Sequence, residues 1–226
     1  MLKINKSEPL YQQVYDQLKQ HILDGGWGPG EKLIESKIAK DLQLSRSPVR
    51  ESLRILEHEG FLVKREQNLY VFQPDLKDII ELYQLRCSIE SLACALAAEI
   101  ATIDEIEDLQ EILERTVAAL KEGNTSEIYQ CNTRFHEAII RASGNSHLIS
   151  VMNGLRAKVL YCRNVLVQLA YVRVDSFIDE HFNIYQAIRD GRGEDAMFLM
   201  EKHIRVDLDC ILSLFPDEKL EGGWQQ

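Results

Sequence analysis

What limits the fold most is a change of pattern at Pro74. Before it, three short stretches of helical period alternate with turn signals and end in two β-like pieces; after it, nearly everything up to about residue 214 repeats with a helical period. Leu10, Val14, Leu18, Ile22 and Leu23 make an apolar stripe at i, i+4, so residues 10–23 are expected to be an amphipathic helix that Asp24-Gly25-Gly26 ends. Gly28-Pro29-Gly30 reads as a turn. A second helix over 35–42 turns Ile38, Ala39 and Leu42 inward, Gln43-Leu44-Ser45 connects, and a third over 46–58 buries Val49, Leu53 and Leu56. Ser45 or Ser47 can cap that third helix, Pro48 is tolerated in its first turn, and Gly60 closes it. Phe61-Leu62-Val63 and Leu69-Tyr70-Val71-Phe72 are strand-like, joined by the polar connector Lys64 to Asn68. Three helices and a hairpin in this order outline a winged helix-turn-helix.

Beyond Pro74 six helices are expected: 76–100, then one opened by the capping box Thr102-Ile103-Asp104-Glu105 and stopped near Gly123, then 126–142, 146–170 with Ser146 as cap, 174–189, and 194–214. Short connections make neighbours antiparallel. The expected fold is therefore mainly α: a winged helix-turn-helix at 1–74, an all-helical antiparallel six-helix bundle at 75–219, and a disordered tail at 220–226.

The net charge of −10 argues against nucleic acid only until it is divided along the chain. Residues 1–74 carry +1 and the remainder −11, and phosphate binding depends on local potential rather than the total. Cys87, Cys94, Cys131, Cys162 and Cys210 are odd in number with no C-x-x-C pair, so they read as thiols of a reducing cytoplasm rather than a disulfide framework or a zinc cage. No apolar run is long enough to span a membrane, and the N-terminus has neither the apolar core nor the cleavage site of a signal peptide. A cytoplasmic protein without a membrane partner is expected.

The string Leu44-Ser45-Arg46-Ser47-Pro48-Val49-Arg50-Glu51-Ser52-Leu53, followed by Leu56 and Glu59-Gly60-Phe61-Leu62, resembles the GntR family of bacterial regulators. The second half resembles that family's FCD branch, the FadR subfamily, through Glu81-Leu82-Tyr83-Gln84-Leu85-Arg86 with Glu90, Asn132-Thr133-Arg134-Phe135-His136, Ala142-Ser143-Gly144-Asn145, Glu180-His181 and His203. The resemblance implies a transcription regulator that binds a palindromic operator in double-stranded DNA as a homodimer, with a helical domain that senses a small effector. Two departures stand out. Ser36 occupies a position where some relatives carry a DNA-contacting arginine, and Asn68 stands where the wing usually has a glycine, the residue most tolerant of positive φ.

Side-chain chemistry supports the DNA reading independently. Arg46 and Arg50 are four apart and share one face near the start of the third helix, the end that enters the major groove in helix-turn-helix proteins. A guanidinium fork can grip guanine O6 and N7 together. Ser45 and Ser47 can donate to phosphates, and Lys64 and Arg65 are available on the wing. Glu66 is expected to weaken phosphate contact there.

In the second half, Asn132 and His136 lie one turn apart on one helix, and His181 and His203 sit on two later helices beside apolar residues at helical spacing. Three imidazoles and one oxygen from three helices make a candidate site for a borderline divalent ion, Zn²⁺ or Ni²⁺. The resemblance implies an aspartate and three histidines; here Asn132 replaces the aspartate and leaves the ligand set neutral. Lower metal affinity and a stronger pull on an anionic effector are expected. His21, His58 and His147 have no such company.

Arg86, Arg134 and Arg163 can match a carboxylate. Arg134 points about 200° away from Asn132 around its helix, and Arg86 matches a family arginine, so Arg86 is the expected effector contact. A non-enzymatic regulator with a small carboxylate effector is the main reading. The alternatives are a metal-dependent enzyme fused to a DNA-binding module, or a regulator whose metal is structural or whose ligand is apolar and metal-independent. Against the enzyme, no carboxylate close in sequence to His136, His181 or His203 is evidently placed as a general base.

Overall fold

The computed structural model describes residues 9–23, 25–169 and 177–213. The chain divides into two compact units, one of residues 1–75 with 153–165, the other of residues 76–152 with 166–226.

The first unit holds α1 (Leu10–Leu23), β1 (Lys32–Leu33), α2 (Glu35–Asp41), α3 (Arg46–His58), β2 (Leu62–Arg65) and β3 (Asn68–Val71). The α1 stripe of Val14, Leu18 and Ile22 packs with Ile38 of α2 and Val49, Leu53 and Leu56 of α3 into one core that also takes Leu33, Phe61, Leu62 and Val71 from the sheet. Ser52, the buried polar residue of α3, has one hydroxyl proton to share between the carbonyls of Tyr11 at 2.5 Å and Pro48 at 2.9 Å from its Oγ. The hydroxyl thus costs no unsatisfied group and ties α3 to the start of α1. Gln43 takes a positive φ of 55° in the tight turn between α2 and α3.

The sheet has order β1-β3-β2 with both pairs antiparallel. Sequence pattern missed β1, because two residues are too few to show alternation. It also misplaced the hairpin. Arg65 pairs with Asn68, so the turn is Glu66-Gln67, and the left-handed residue is Glu66 at φ 56° rather than Asn68. Asn68 is a strand residue here, and the departure from glycine at that position has no conformational cost.

Among the described residues, the second unit is built from helices alone: α4 (Leu76–Ile100), α5 (Ile103–Glu122), α6 (Thr125–Ala142), α7 (Ser146–Leu169), α8 (Phe177–Arg189) and α9 (Gly193–Leu212), with residues 153–165 of α7 grouping with the first unit. The expected capping box is present: Thr102 Oγ1 accepts from the Glu105 amide at 3.3 Å, and Glu105 Oε2 accepts from the Thr102 amide at 2.9 Å. Gly123 ends α5 at φ 66°. Asn124 caps α6, its side chain accepting from the Glu127 amide at 3.2 Å. One cap differs from expectation: Asn145 Oδ1 accepts from the amides of His147 and Leu148, both at 3.1 Å, making Ser146 the first helical residue of α7 rather than its cap. The asparagine lies just ahead of the serine and reaches the free amides first. The ends expected near residues 170, 174 and 214, and the tail at 220–226, lie outside the described residues.

Helix α4 packs along α9, α5 along α6, and α8 against α9 and α5. Leu109, Ile112, Leu113, Phe135, Ile139, Ile184, Met200 and Ile204 form much of the interior. Within that interior α4 buries Arg86 and Glu90, α6 His136, α8 His181 and α9 His203. Five ionisable side chains in an apolar bundle are costly unless matched to one another.

Candidate functional site

The matching is explicit. The Nε2 atom of His203 lies 3.2 Å from Nε2 of His181 and 3.4 Å from Nε2 of His136, so three imidazoles converge through the same ring nitrogen. The opposite nitrogens are backed by carboxylates. Nδ1 of His136 meets Glu90 Oε2 in a short contact, and Nδ1 of His203 meets Glu180 Oε2 at 2.6 Å. A carboxylate at Nδ1 holds the proton there and leaves the Nε2 lone pair facing inward, the arrangement that orients metal-binding histidines. His181 is placed by packing: Phe135 stacks on its ring at 4.1 Å, and Phe177 meets it edge-on at 5.2 Å.

These residues fit a divalent ion. Two nitrogens about 2.05 Å from one ion at a tetrahedral angle stand about 3.3 Å apart, the separation seen here. Asn132, one turn before His136 on α6, has a buried Oδ1 with no hydrogen-bond partner among the described residues. An orphaned carbonyl oxygen on the histidine-bearing face suits a fourth ligand. Asp207 Oδ2 lies 3.8 Å from His203 Nε2.

Arg86 stands behind Glu90. Its Nε donates to Glu90 Oε1 at 2.8 Å, its guanidinium lies over the Tyr83 ring at 4.6 Å, and it is wholly buried. Nη1 and Nη2 have no hydrogen-bond partner among the described residues. Burial pulls the guanidinium's pKa down, but Glu90, Tyr83 and Asp207 outweigh it and the net shift is upward, so Arg86 stays charged. A permanently charged group with two unmatched nitrogens in a bundle interior is an anion-binding arrangement. Arg134 is exposed on α6, and the Arg163 side chain lies outside the described residues.

The sequence missed the carboxylates. Glu90 is 46 residues from His136 and carries no local signal of its role. Glu180 is next to His181 in sequence but reaches His203 instead. The idea that a bound ion's charge meets only neutral groups is therefore corrected. Glu90 and Glu180 nevertheless stand at the Nδ1 side, where they orient the rings.

In the first unit, Ser45, Arg46, Ser47 and Arg50 are all exposed at the start of α3. Ser45 holds the N-cap position at φ −69°, ψ 159° without a side-chain capping bond. Arg50 is gripped by Glu35 of α2: Nε donates to Oε2 at 2.9 Å and Nη2 to Oε1 at 2.8 Å. Arg54, one turn beyond Arg50, extends the basic row and was recognisable from its spacing. Beside α3 lies an open cleft of about 680 Å³ lined by Tyr11, Ser47, Arg50, Arg54 and His58 among others. Lys64 and Arg65 are exposed on β2, and Arg65 lies 5.7 Å over the Tyr70 ring.

A helix-turn-helix with a small three-stranded sheet, joined to a helical unit that buries a histidine cluster in an apolar interior, is the build of a DNA-binding transcription regulator. Residues 10–68 match the profile of the bacterial regulatory proteins of the gntR family, and residues 81–206 match the FCD domain. The chain is 31% identical over 219 residues to the HTH-type transcriptional regulator YdhC of Bacillus subtilis, covering 96% of this chain and 97% of that one. It is 29% identical over 195 residues to the gluconate operon transcriptional repressor of the same species, covering 84% of this chain and 79% of the relative. Among solved structures, Escherichia coli McbR/YncC shares the fold with a TM-score of 0.76 at 23% identity, covering 92% of this chain and all of that one. The chain belongs to the GntR family of transcriptional regulators, in the branch that carries an FCD domain. No helix among the described residues is long and apolar enough to cross a membrane.

Proposed function

We propose that this regulator binds a palindromic operator as a homodimer through its 1–74 module, and that its 75–219 module senses a small carboxylate at the histidine centre. Asn132, His136, His181 and His203 hold one divalent ion, Zn²⁺ or Ni²⁺. Such an ion supplies a coordination position for a carboxylate oxygen. Arg86 receives the same anion through Nη1 and Nη2. The observation that carries this reading is the wholly buried Arg86 with both terminal nitrogens unmatched while Nε is fixed on Glu90. The chain acts as a sensor and turns nothing over.

Glu90 links the two halves of the site, since one oxygen takes Arg86 Nε and the other His136 Nδ1. An anion drawn to Arg86 therefore bears on α4 and, through Glu90, on α6. In the chain α4 begins at Leu76, directly after the wing, so a shift of α4 reaches the reading unit through few residues. Coupling of about 1–3 kcal/mol changes operator affinity roughly 5–150-fold. At the other end, Ser45 and Ser47 contact phosphate, Arg46 and Arg50 read bases, and Lys64 and Arg65 hold the backbone from the wing.

Gluconate, which names the operon of one relative, is a carboxylate and the first compound to try. The test is titration of operator binding and thermal stability with gluconate and other small carboxylates, with and without Zn²⁺. The expected result is a metal-dependent gain in melting temperature and a change in operator affinity, both lost in Arg86→Met. A carboxylate that binds the metal-free His136→Ala/His181→Ala protein equally well, or that leaves DNA affinity unchanged, overturns the reading.

A further inference from the structure

The bond between Arg50 and Glu35 is specific in its geometry. A guanidinium has two hydrogen-bonding edges: the side fork of Nε–H with Nη2–H, and the end fork of Nη1–H with Nη2–H. Glu35 occupies the side fork completely, Oε2 on Nε and Oε1 on Nη2. The end fork remains, with its hydrogens directed along the long axis of the side chain. That free fork can still hold guanine O6 and N7 bidentately. Glu35 starts α2, whereas Arg50 is on α3, so the clamp also joins the two helices of the reading motif.

Glu35 has a second property. Its carboxyl is held below the ordinary glutamate value by the hydrogen bond from Arg50, against desolvation, with further lowering from the charges of Arg50, Arg46 and Arg54. It therefore stands ionised among three arginines of α3. A fixed negative charge there lowers the attraction of this face for phosphate in general, while the clamp favours one arrangement of Arg50.

We infer that Glu35 is a specificity-determining positioning residue: it holds the Arg50 guanidinium edge-on for guanine and suppresses binding to unselected DNA. This rests on the reading of Arg50 as a base contact. An arginine otherwise loses rotamer freedom on each docking, and the clamp removes part of that loss before DNA arrives. The wrong base then faces an arginine that cannot swing away to a phosphate, which adds discrimination by penalising mismatches.

The test uses full-length protein and duplexes enriched by it from a randomised pool. The enriched duplex, its single-base variants and an unrelated duplex of equal length are titrated with wild type, Arg50→Ala, Glu35→Gln and Glu35→Asp, each checked for an unchanged melting curve. Arg50→Ala is expected to flatten a guanine preference at one position of each half-site. Glu35→Gln is expected to weaken the preference at that same position by about 5–20-fold and to raise affinity for the unrelated duplex by about 2–5-fold. Glu35→Asp keeps the charge but falls a methylene short of spanning the fork. It is expected to lose the preference without gaining affinity for the unrelated duplex. If Glu35→Gln keeps the full preference, or shifts both duplexes by one common factor, the inference is overturned while Arg50 remains a reader. If Arg50→Ala itself keeps every base preference, the reading of Arg50 has failed, and the role of Glu35 fails with it.

Discussion

The two units each contain an arginine–glutamate pair with a nitrogen–oxygen distance of 2.8 Å, and the two pairs do opposite things. In the reading unit the side chains of Arg50 and Glu35 are 55% and 28% exposed; in the helical unit those of Arg86 and Glu90 are 0% and 1% exposed. Water screens the first pair and makes it worth little to folding, so its value lies in where it points the guanidinium. No water screens the second, so each partner would be expensive without the other. Equal distance, read alone, would rank the pairs as equivalent. Solvent access separates them into an orienting device and an obligatory one.

The sharpest way to break this comparison is to delete each arginine. Arg86→Ala leaves the Glu90 carboxyl buried without its arginine, and is expected to cost about 3–5 kcal/mol of stability in urea unfolding. The double variant Arg86→Leu/Glu90→Met should recover most of that loss while abolishing any response to carboxylates. A loss below about 1 kcal/mol for Arg86→Ala would place the buried pair with the exposed one.

Metal should separate the units next. Zn²⁺ at about 100 times its Kd is expected to stabilise the protein by about 2.7 kcal/mol, an effect removed by His203→Ala and strengthened by Asn132→Asp, which adds a charge to the ligand set. Binding should weaken toward acid pH, because imidazoles must be neutral to ligate. Calorimetric titration of wild type and both variants checks this, and a His203→Ala protein that retains metal fully contradicts the centre.

Arg50→Ala should leave the melting temperature unchanged but weaken operator binding by on the order of 10–100-fold, measured by fluorescence anisotropy. Unchanged affinity in both Arg46→Ala and Arg50→Ala would remove α3 from the groove. On the wing, Glu66→Gly should relieve the left-handed strain by roughly 0.5–1 kcal/mol and tighten DNA binding modestly by removing a negative charge; a destabilised variant would show the turn tolerates its glutamate.

The smallest effect concerns pH. The Glu35 carboxyl is lowered from 4.5 in the folded protein, so the unfolded chain binds its proton more readily. Its contribution to stability is therefore present above about pH 4.5 and lost as pH falls through the lower folded value. Wild type and Glu35→Gln should show parallel stability profiles above about pH 5.5 and diverge only below it, as followed by circular dichroism.

The helices were readable because their signals are local. The α1 stripe, the Thr102–Glu105 box and Gly123 each lie within one or two turns of the ends they define. The wing was read less well, since strand pairing depends on a partner: nothing inside Glu66-Gln67-Asn68 says which residue turns and which pairs. The same distinction holds in the site. Three histidines on apolar helical faces were visible as a constellation, and the outward direction of Arg134 followed from helical geometry. Glu90 and Glu180 were invisible as partners, because which ring a carboxylate meets is decided by how α4, α8 and α9 pack. Glu35 was passed over for the same reason; its meaning arises only when α2 and α3 cross.

The histidine centre also has a temporal consequence. Glu90 and His136 are separated by 46 residues, and His136 and His203 by 67. A chain made from its N-terminus has α1 to α3 and the wing before Pro74, but lacks a third imidazole until α9 has been synthesised. Loops of this length close slowly compared with the turn of a single helix. The centre is therefore assembled late, and a chain stopped ahead of α9 carries α3 without the means to complete the three-histidine cluster. Pulse-labelled protein should acquire chelator-sensitive resistance to proteolysis only after full-length chain appears, with none in products ending before His203.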